Sequence, residues 1–262
     1  MLKQIEPEVE LSTTKKVSLI IPAYNERDRI QKTLMMYSDV LEGMNKDYEI
    51  IVVIDGNDGT EDIVKQFRNT ISYKSKKRLG KGGAILQGMN MSGGDIVGFV
   101  DADGSLSSED LRKIILSVDD RSFVIASRYG KDSVWLKKEP LFNRMASRAF
   151  NFLVNSVLHL NVKDTQCGAK FMSKSVAKEI LRQINVRNRT FDVSMIYHAK
   201  KSKAKILEIP VMWKHDENSR LPIGHAILPM FLTILGIRFM NSRYSHRVPS
   251  WVFKVFSKFR FY

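Results

Sequence analysis

Two aspartates one residue apart, Asp101 and Asp103, follow the apolar run DIVGFV (Asp95 to Val100) in the segment DADGS. Alternate residues of an extended segment leave it on the same side. Two carboxylates at this spacing can therefore hold a hard divalent cation, Mg²⁺ or Mn²⁺, together with the phosphate oxygens of a ligand. Such a pair suits a reaction in which a phosphate-bearing group departs and its developing charge must be neutralised. Two more polar clusters follow apolar runs: PAYNE (Pro22 to Glu26) and DGNDGT (Asp55 to Thr60). A further cluster, RLGKGGA (Arg78 to Ala84), opens a predicted helix. Its backbone N–H groups and Lys81 could meet a phosphate, and a plain structural turn accounts for the same residues. It lacks the GxxxxGK[ST] spacing of a P-loop, and no GxGxxG follows the first apolar run.

The second half of the chain offers cations. Arg144 and Arg148 stand four apart, so they share one face of a predicted helix over Phe142 to Leu158. That face is either simply solvated or a phosphate clamp. The clamp competes because the rest of the helix is so apolar (Phe142, Met145, Phe150, Phe152, Leu153, Val154, Val157, Leu158) that it could guide a lipid chain. Cys167, the single cysteine, excludes a disulfide framework and reads as a small packed residue, with no histidine near it in sequence. His159, His198, His215, His225 and His246 show no metal spacing, and His215 beside Asp216 reads as a surface pair.

These clusters need a scaffold that brings them together. VSLII (Val17 to Ile21), EIIVVI (Glu49 to Ile54), a weaker Ile71 to Tyr73, DIVGFV and FVIAS (Phe123 to Ser127) read as strands. Helical spacing runs over Arg29 to Leu41, Thr60 to Phe67, Lys81 to Met91 and Ser108 to Val118. Strands alternating with helices predict an α/β fold with a parallel, doubly wound sheet, whose ligands sit at the carboxyl ends of the strands. Later come helices over Lys174 to Ile184 and Thr190 to Lys201 and one strand over Lys205 to Trp213. The expected organisation is an N-terminal extension (1–16), a catalytic domain (17–221) and an apolar and basic C-terminal segment (222–262).

Across 262 residues the net charge is +14, with 44% apolar and 27% charged residues, which excludes a disordered chain. The first 130 residues sum to −2 and the remainder to +16, pointing to a polyanionic partner for the second half. The longest stretch without Asp, Glu, Lys or Arg, Leu221 to Ile237, has 17 residues against the roughly 20 a membrane span needs. Its AILPMFLTILGI portion has no polar face and must be buried in something. The tail WVFKVFSKFRFY (Trp251 to Tyr262) interleaves aromatics with cations, as suits the headgroup zone of an anionic bilayer; a core helix and a basic tail would read the same way. No nucleic-acid motif accompanies the charge, so a membrane surface rather than nucleic acid is the expected partner. The first 16 residues lack the apolar core of a secretory signal, and a reduced, cytosolic setting is the default expectation.

In this order and spacing, VSLIIPAYNE, IIVVIDGNDGT, GKGGA and DIVGFVDADGS resemble the family 2 glycosyltransferases, which have the nucleotide-sugar-binding GT-A fold. Within that family, DTQCGAKFM (Asp164 to Met172), TFDVSMIYHA, ILEIPVMWKH and NSRL are similar to the enzymes that place one sugar on dolichyl phosphate, the β-glucosyltransferase branch above the mannosyl branch. The resemblance covers Val17 to Leu221. It implies a GT-A-like, mostly parallel sheet and transfer of a single hexose, glucose favoured, from UDP-glucose or alternatively GDP-mannose. The implied acceptor is a polyprenyl phosphate, or in a further alternative a soluble or polysaccharide acceptor, and the implied setting is the cytoplasmic face of a membrane. It also implies that Pro22, Tyr24 and Glu26 line the base and ribose, and that Ile54 and Asp55 face the nucleotide. Asp101, Ala102 and Asp103 would meet the diphosphate through Mg²⁺ or Mn²⁺. Arg128 would sit by the donor and acceptor phosphates, and Arg220 would approach them from a loop.

Two departures from the family pattern stand out. Ile54 replaces the first of two adjacent aspartates in a loop one residue shorter, and Ser105 stands where mannosyl members often carry glutamine. A phosphate monoester acceptor is already charged at neutral pH and needs cations to hold it more than a strong base to activate it. Arg128, Arg144, Arg148 and Arg220 are the candidates for that clamp. Asp164 is the residue to consider if a base is used, and a turn cap is its other reading.

Overall fold

In a computed structural model, the described residues are 15–137, 141–184, 186–188, 190–214 and 227–241. Arg220, NSRL, His215, His225, His246, the tail aromatics and nearly all of the N-terminal extension lie outside them.

A seven-stranded sheet forms the centre, in the order β3-β2-β1-β4-β7-β5-β8. Its strands are β1 (Val17–Ala23), β2 (Tyr48–Ile54), β3 (Thr70–Lys74), β4 (Ile96–Val100), β5 (Ser122–Ser127), β7 (Ala169–Ser173) and β8 (Lys205–Pro210). Pairs β1–β2, β1–β4, β2–β3 and β5–β8 are parallel. The central strands carry no polar face because both faces are covered. Leu19, Ile21, Ile50 and Val52 enter one core with Ile30, Leu34 and Tyr37 of α1 (Arg27–Glu42) and Leu111 and Ile114 of α4 (Ser108–Leu116). The alternate residues Ile20, Ile51 and Val53 enter a second core with Ala84 and Ile85 of α3 (Gly80–Met91), Val176 of α6 (Lys174–Gln183) and Ile196 of α7 (Phe191–Lys201). The short α2 (Thr60–Val64) completes the first half, its predicted extension to Phe67 being turns.

One strand is missing from the sequence reading. β7 runs antiparallel to both β4 and β5, which makes the sheet mostly parallel, as the family resemblance implies. Nothing in AKFMS marks it as a strand, since five residues carry a lysine at the second position and no alternation. A second correction concerns the stretch from Lys205 to Trp213. It breaks at Val211 into β8 and β9 (Met212–Lys214), and β9 leaves the main sheet to pair with β6 (Val134–Lys137), which the sequence reading lacked.

α5 (Leu141–Leu158) and α8 (Ile227–Met240) pack together beside the second core. Ile234 and Ile237 of α8 are buried there, as are Val154 and Leu158 of α5. Among the described residues no helix is long and apolar enough to cross a membrane.

Candidate active site

The loops that carry the polar clusters meet at the carboxyl edge of β1, β2 and β4. The β1 and β2 loops interlock. A Cβ on Gly56 would lie 2.3 Å from Asn25 Oδ1, and that oxygen accepts from the Asn57 amide at 3.2 Å. Asp58 accepts from the Arg27 amide at 2.9 Å and from the Thr60 hydroxyl at 2.6 Å, tying the start of α1 to the start of α2. Burial raises the Asp58 pKa, but these hydrogen bonds outweigh it and hold the carboxyl below its ordinary value. Glu26 binds the Arg29 guanidinium in a bidentate pair, one arm at 2.9 Å.

Asp55 is engaged by backbone. Its two carboxylate oxygens accept from the amides of Leu79 and Gly80, each at 2.8 Å. It thereby satisfies orphan donors at the start of α3 from outside the helix. This uses two of the backbone donors that the sequence reading offered to a phosphate, and Lys81 of the same cluster lies at the site. Ile54, the last residue of β2, is buried in the first core. Pro22 is half-buried and Tyr24 exposed.

Asp101 and Asp103 emerge from β4 as expected, both partly accessible, with Ala102 buried between them. Thr33 of α1 donates to the Ala102 carbonyl at 2.8 Å and fixes the turn. Asp103 accepts from the Ser105 amide at 2.9 Å. Lys81 reaches across from α3 and places Nζ 2.7 Å from Asp101 Oδ1. Burial raises the Asp101 pKa, and the like charges of Asp103 and Asp192 add to this against the opposing pull of Lys81. Burial works against the Lys81 charge too, but the carboxylates of Asp101, Asp192 and Asp103 prevail and raise its pKa.

The antiparallel β7 brings a second loop down on this pair. The Asp101 amide donates to the Gly168 carbonyl at 3.1 Å, and a Cβ on Gly168 would stand 2.0 Å from Asp101 Oδ2. Only glycine leaves room there. Below it, Lys170 is wholly buried and donates to the Cys167 carbonyl at 2.8 Å and to Asp192 at 2.6 Å. Sequence reading missed Lys170 and Asp192, because a lysine in a short segment usually marks an exposed position. Cys167 is buried as expected, and burial pushes its thiol up to about 12.

Arg128, just past β5, is held by Asp164 through Nε at 2.8 Å and Nη2 at 3.0 Å, with its own amide on the same carboxylate at 3.0 Å. The guanidinium lies among the rings of Tyr129, Trp135 and Trp213, 5.6–5.9 Å from each centre. Burial would raise the Asp164 pKa, but Arg128 reverses that and holds it below the ordinary carboxylate value. This bears on the two roles suggested by sequence. Asp164 is a paired anchor with little basicity, and Arg128 has two of its nitrogens spent on that anchor. The outer cation is Arg148, stacked 4.8 Å from the centre of Tyr129 and exposed. Arg144 is half-buried one turn earlier.

α5 does not bury its whole apolar stripe. Leu141, Met145 and Phe152 are exposed, Phe152 at 75%, and Arg148 lies among them on the outward face.

Among the described residues no group of three or more His, Cys, Asp or Glu converges as a closed metal cage. Two carboxylates at an open edge fit a cation that takes its remaining ligands from phosphate and water, the usual habit of Mg²⁺.

A sequence model for glycosyl transferase family 2 matches residues 18–181. The chain is 30% identical over 244 residues to a dolichyl-phosphate beta-glucosyltransferase of Dictyostelium discoideum, covering 85% of this chain and 74% of that protein. It is 30% identical over 257 residues to the Homo sapiens protein of the same name, covering 90% and 79%. The glucosyl-3-phosphoglycerate synthase of Mycobacterium tuberculosis, solved with Mn²⁺, UDP and glucosyl-3-phosphoglycerate, superposes with a TM-score of 0.64 at 15% identity, covering 85% of this chain and 78% of that one. That last likeness is one of fold.

Proposed function

The chain belongs to glycosyl transferase family 2 and is a glycosyltransferase of the GT-A fold, and from that premise we propose that it moves one hexose, glucose in preference to mannose, from a nucleoside diphosphate sugar to a polyprenyl (dolichyl) phosphate at a membrane surface. The observation that carries the reading is a juxtaposition. Asp101, Asp103 and Lys81 gather at the carboxyl edge of the sheet, and the neighbouring α5 turns Leu141, Met145 and Phe152 outward with Arg148 among them. The first group suits a nucleoside diphosphate and the second a phosphate on a lipid. The names and 30% identity of the Dictyostelium and human relatives support dolichyl phosphate as the acceptor and glucose as the sugar.

In this reading a phosphate oxygen of the lipid attacks the anomeric carbon as the bond to the diphosphate breaks, and the configuration inverts. A divalent cation held by Asp101 and Asp103 supplies neutralisation of charge on the leaving diphosphate. Lys81 adds a second positive charge on the α3 side. Arg148 and Arg144 receive the acceptor phosphate, and the wet, charged end of α5 keeps it near the donor while the apolar stripe lies against acyl chains. Arg128 holds the loop between β5 and β6 in place from inside. The acceptor oxygen is already anionic, so a low-basicity Asp164 costs the reaction nothing. The proposed setting is the cytoplasmic face, in keeping with a lone reduced cysteine.

The test is a donor screen with UDP-glucose, GDP-mannose and UDP-N-acetylglucosamine, each with a polyprenyl phosphate and Mg²⁺ or Mn²⁺, reading label that partitions into organic solvent. UDP-glucose is expected to give the lipid-linked product. Preference for GDP-mannose would replace the sugar. Donor turnover with no lipid product, whatever acceptor lipid is added, would sink the reading in favour of a soluble acceptor.

A further inference from the structure

α8 is apolar along most of its length. From Pro229 to Ile237 it reads PMFLTILGI, and Thr233 is the one polar side chain in that stretch. Thr233 is buried, as are Ile234 and Ile237. Its hydroxyl donates to the Pro229 carbonyl one turn back at 2.8 Å and accepts from Asn188 Nδ2 at 3.0 Å. Apolar packing has no direction, so a helix of Ile, Leu, Met and Phe can slide along its axis and still fill the same core. A hydroxyl facing a buried amide fits in one register, because any other leaves the Asn188 amide without this acceptor. A lone polar contact in an apolar seam is a register device.

Asn188 also organises the turn that leads into α7. Its Oδ1 accepts from the Thr190 amide at 2.9 Å and from the Thr190 hydroxyl at 2.6 Å, and its carbonyl accepts from the Phe191 amide at 3.0 Å. This turn rests on the first turn of α3. A Cβ on Gly82 would stand 2.6 Å from the Arg187 carbonyl and 2.8 Å from Phe191 Cβ, so the two segments meet at the closest approach that glycine allows. Gly82 is the neighbour of Lys81, whose Nζ lies 2.7 Å from Asp101. Asp192, next after Phe191, binds the buried Lys170 at 2.6 Å. The turn therefore has α8 on one side and the backbone that carries Lys81 on the other. Contacts this close transmit a displacement rather than absorb it.

We propose that Asn188 and Thr233 are positioning residues for Lys81. Their amide–hydroxyl contact sets the register of α8 on the turn before α7, and that turn, seated on Gly82, sets where the Lys81 ammonium stands at the donor phosphates. Both residues act through backbone and reach the reaction only by way of Lys81. The inference rests on the nucleotide-sugar reading, and its test separates the two.

Binding of UDP with Mg²⁺ is measured by calorimetry for the full chain, for Thr233→Val, Thr233→Ser and Lys81→Met, and for the double variant with Thr233→Val and Lys81→Met. Valine keeps the branching of threonine and lacks its hydroxyl. Thr233→Val is expected to weaken UDP binding about 3- to 10-fold, the scale of one hydrogen bond, and Thr233→Ser to bind as the unaltered chain does. In the Lys81→Met background Thr233→Val should make no further difference, because the residue through which it acts is gone. An equal loss in both backgrounds overturns the proposal and makes the contact a general prop of the fold. Unchanged binding in Thr233→Val overturns it too, as does a Thr233→Ser variant that behaves like Thr233→Val. If Lys81→Met alone binds UDP like the unaltered chain, Lys81 does not meet the phosphates and its positioning falls with it. If the unaltered protein binds neither UDP nor GDP, the donor reading falls and takes the proposal along; if it binds and Thr233→Val is indifferent, only the proposal falls. Thermal melting is run on every variant, and Thr233→Ala takes the place of Thr233→Val in the cycle if valine prevents folding.

Discussion

Lys81 Nζ stands 2.7 Å from Asp101 Oδ1, so a cation from α3 engages one of the two carboxylates proposed to hold a metal. With a metal and a diphosphate both bound, Lys81 would be free to turn from Asp101 to the phosphate oxygens. A metal bound alone would compete with it for Asp101. Lys81→Met is therefore expected to bind Mn²⁺ in the absence of nucleotide several-fold more tightly than the unaltered chain, because a competing like charge is gone. The same variant should lose about 10-fold or more in transfer, for want of that charge at the leaving group. Spin-resonance titration of free Mn²⁺ measures the first effect. Weaker Mn²⁺ binding would show that Lys81 shapes the site rather than competing for it.

Asp103 is half-accessible and makes no ion pair among the described residues, which makes it the cleaner carboxylate to remove. Asp103→Asn keeps the acceptor for the Ser105 amide and removes the charge. Transfer should fall about 100-fold or more, with a melting temperature within a few degrees of the original. A variant that retains full transfer in the presence of a chelator would remove the metal from the mechanism.

Gly168 tests the antiparallel loop. An alanine there would put Cβ 2.0 Å from Asp101 Oδ2, so the carboxylate must move. Gly168→Ala should cost transfer at least about 10-fold, since small displacements at a reacting centre are expensive. Gly93→Ala is the control, where the nearest atom to a new Cβ is Glu49 Oε1 at 3.5 Å. Equal activity in the two variants would mean that Asp101 has slack the geometry does not suggest.

The Arg128–Asp164 pair is a stability device with a pH signature. Both side chains are nearly buried, at 11% and 2% exposure. Asp164→Asn strands the arginine and should cost about 3–5 kcal/mol in urea unfolding. The folded pKa of Asp164 is depressed, so its contribution is fully present above the unfolded value of about 3.9 and is lost as pH falls through the lower folded one. The unaltered chain should therefore lose stability on acidification below about pH 4 more steeply than Asp164→Asn. Parallel curves for the two proteins would contradict the pairing.

Phe152 probes the proposed membrane face. Among the described residues it is the most exposed large apolar side chain of α5. Phe152→Glu should leave the melting temperature unchanged and lower co-flotation with anionic liposomes several-fold. Unaltered flotation would move the membrane contact elsewhere on the chain.

How much of this was legible in advance follows from the range of the forces involved. β1, β2 and β4 were readable because strands covered on both faces are continuously apolar, and their polar loops stand out by contrast. The spacing of Asp101 and Asp103 is a local property of one extended segment, so the metal-type pair was visible in five letters. β7 was not visible, because its pairing with β4 and β5 and the burial of Lys170 come from partners far along the chain, Asp192 among them. Lysine in a strand becomes tolerable only when a carboxylate and a carbonyl wait for it in the fold.

The same division runs through the site. The sequence alone determined the alternation of strands and helices, the order of the polar clusters and the identity of the charges, since each depends on residues within a few positions of one another. The tertiary structure decided which charges are available. It placed Lys81 on Asp101, spent Asp55 on the start of α3, locked Asp164 to Arg128 and left Arg148 outside on Tyr129. Hydrogen bonds and ion pairs saturate. Which partner a carboxylate meets first is fixed by how the sheet is wound, and no count of residues along the chain contains that information.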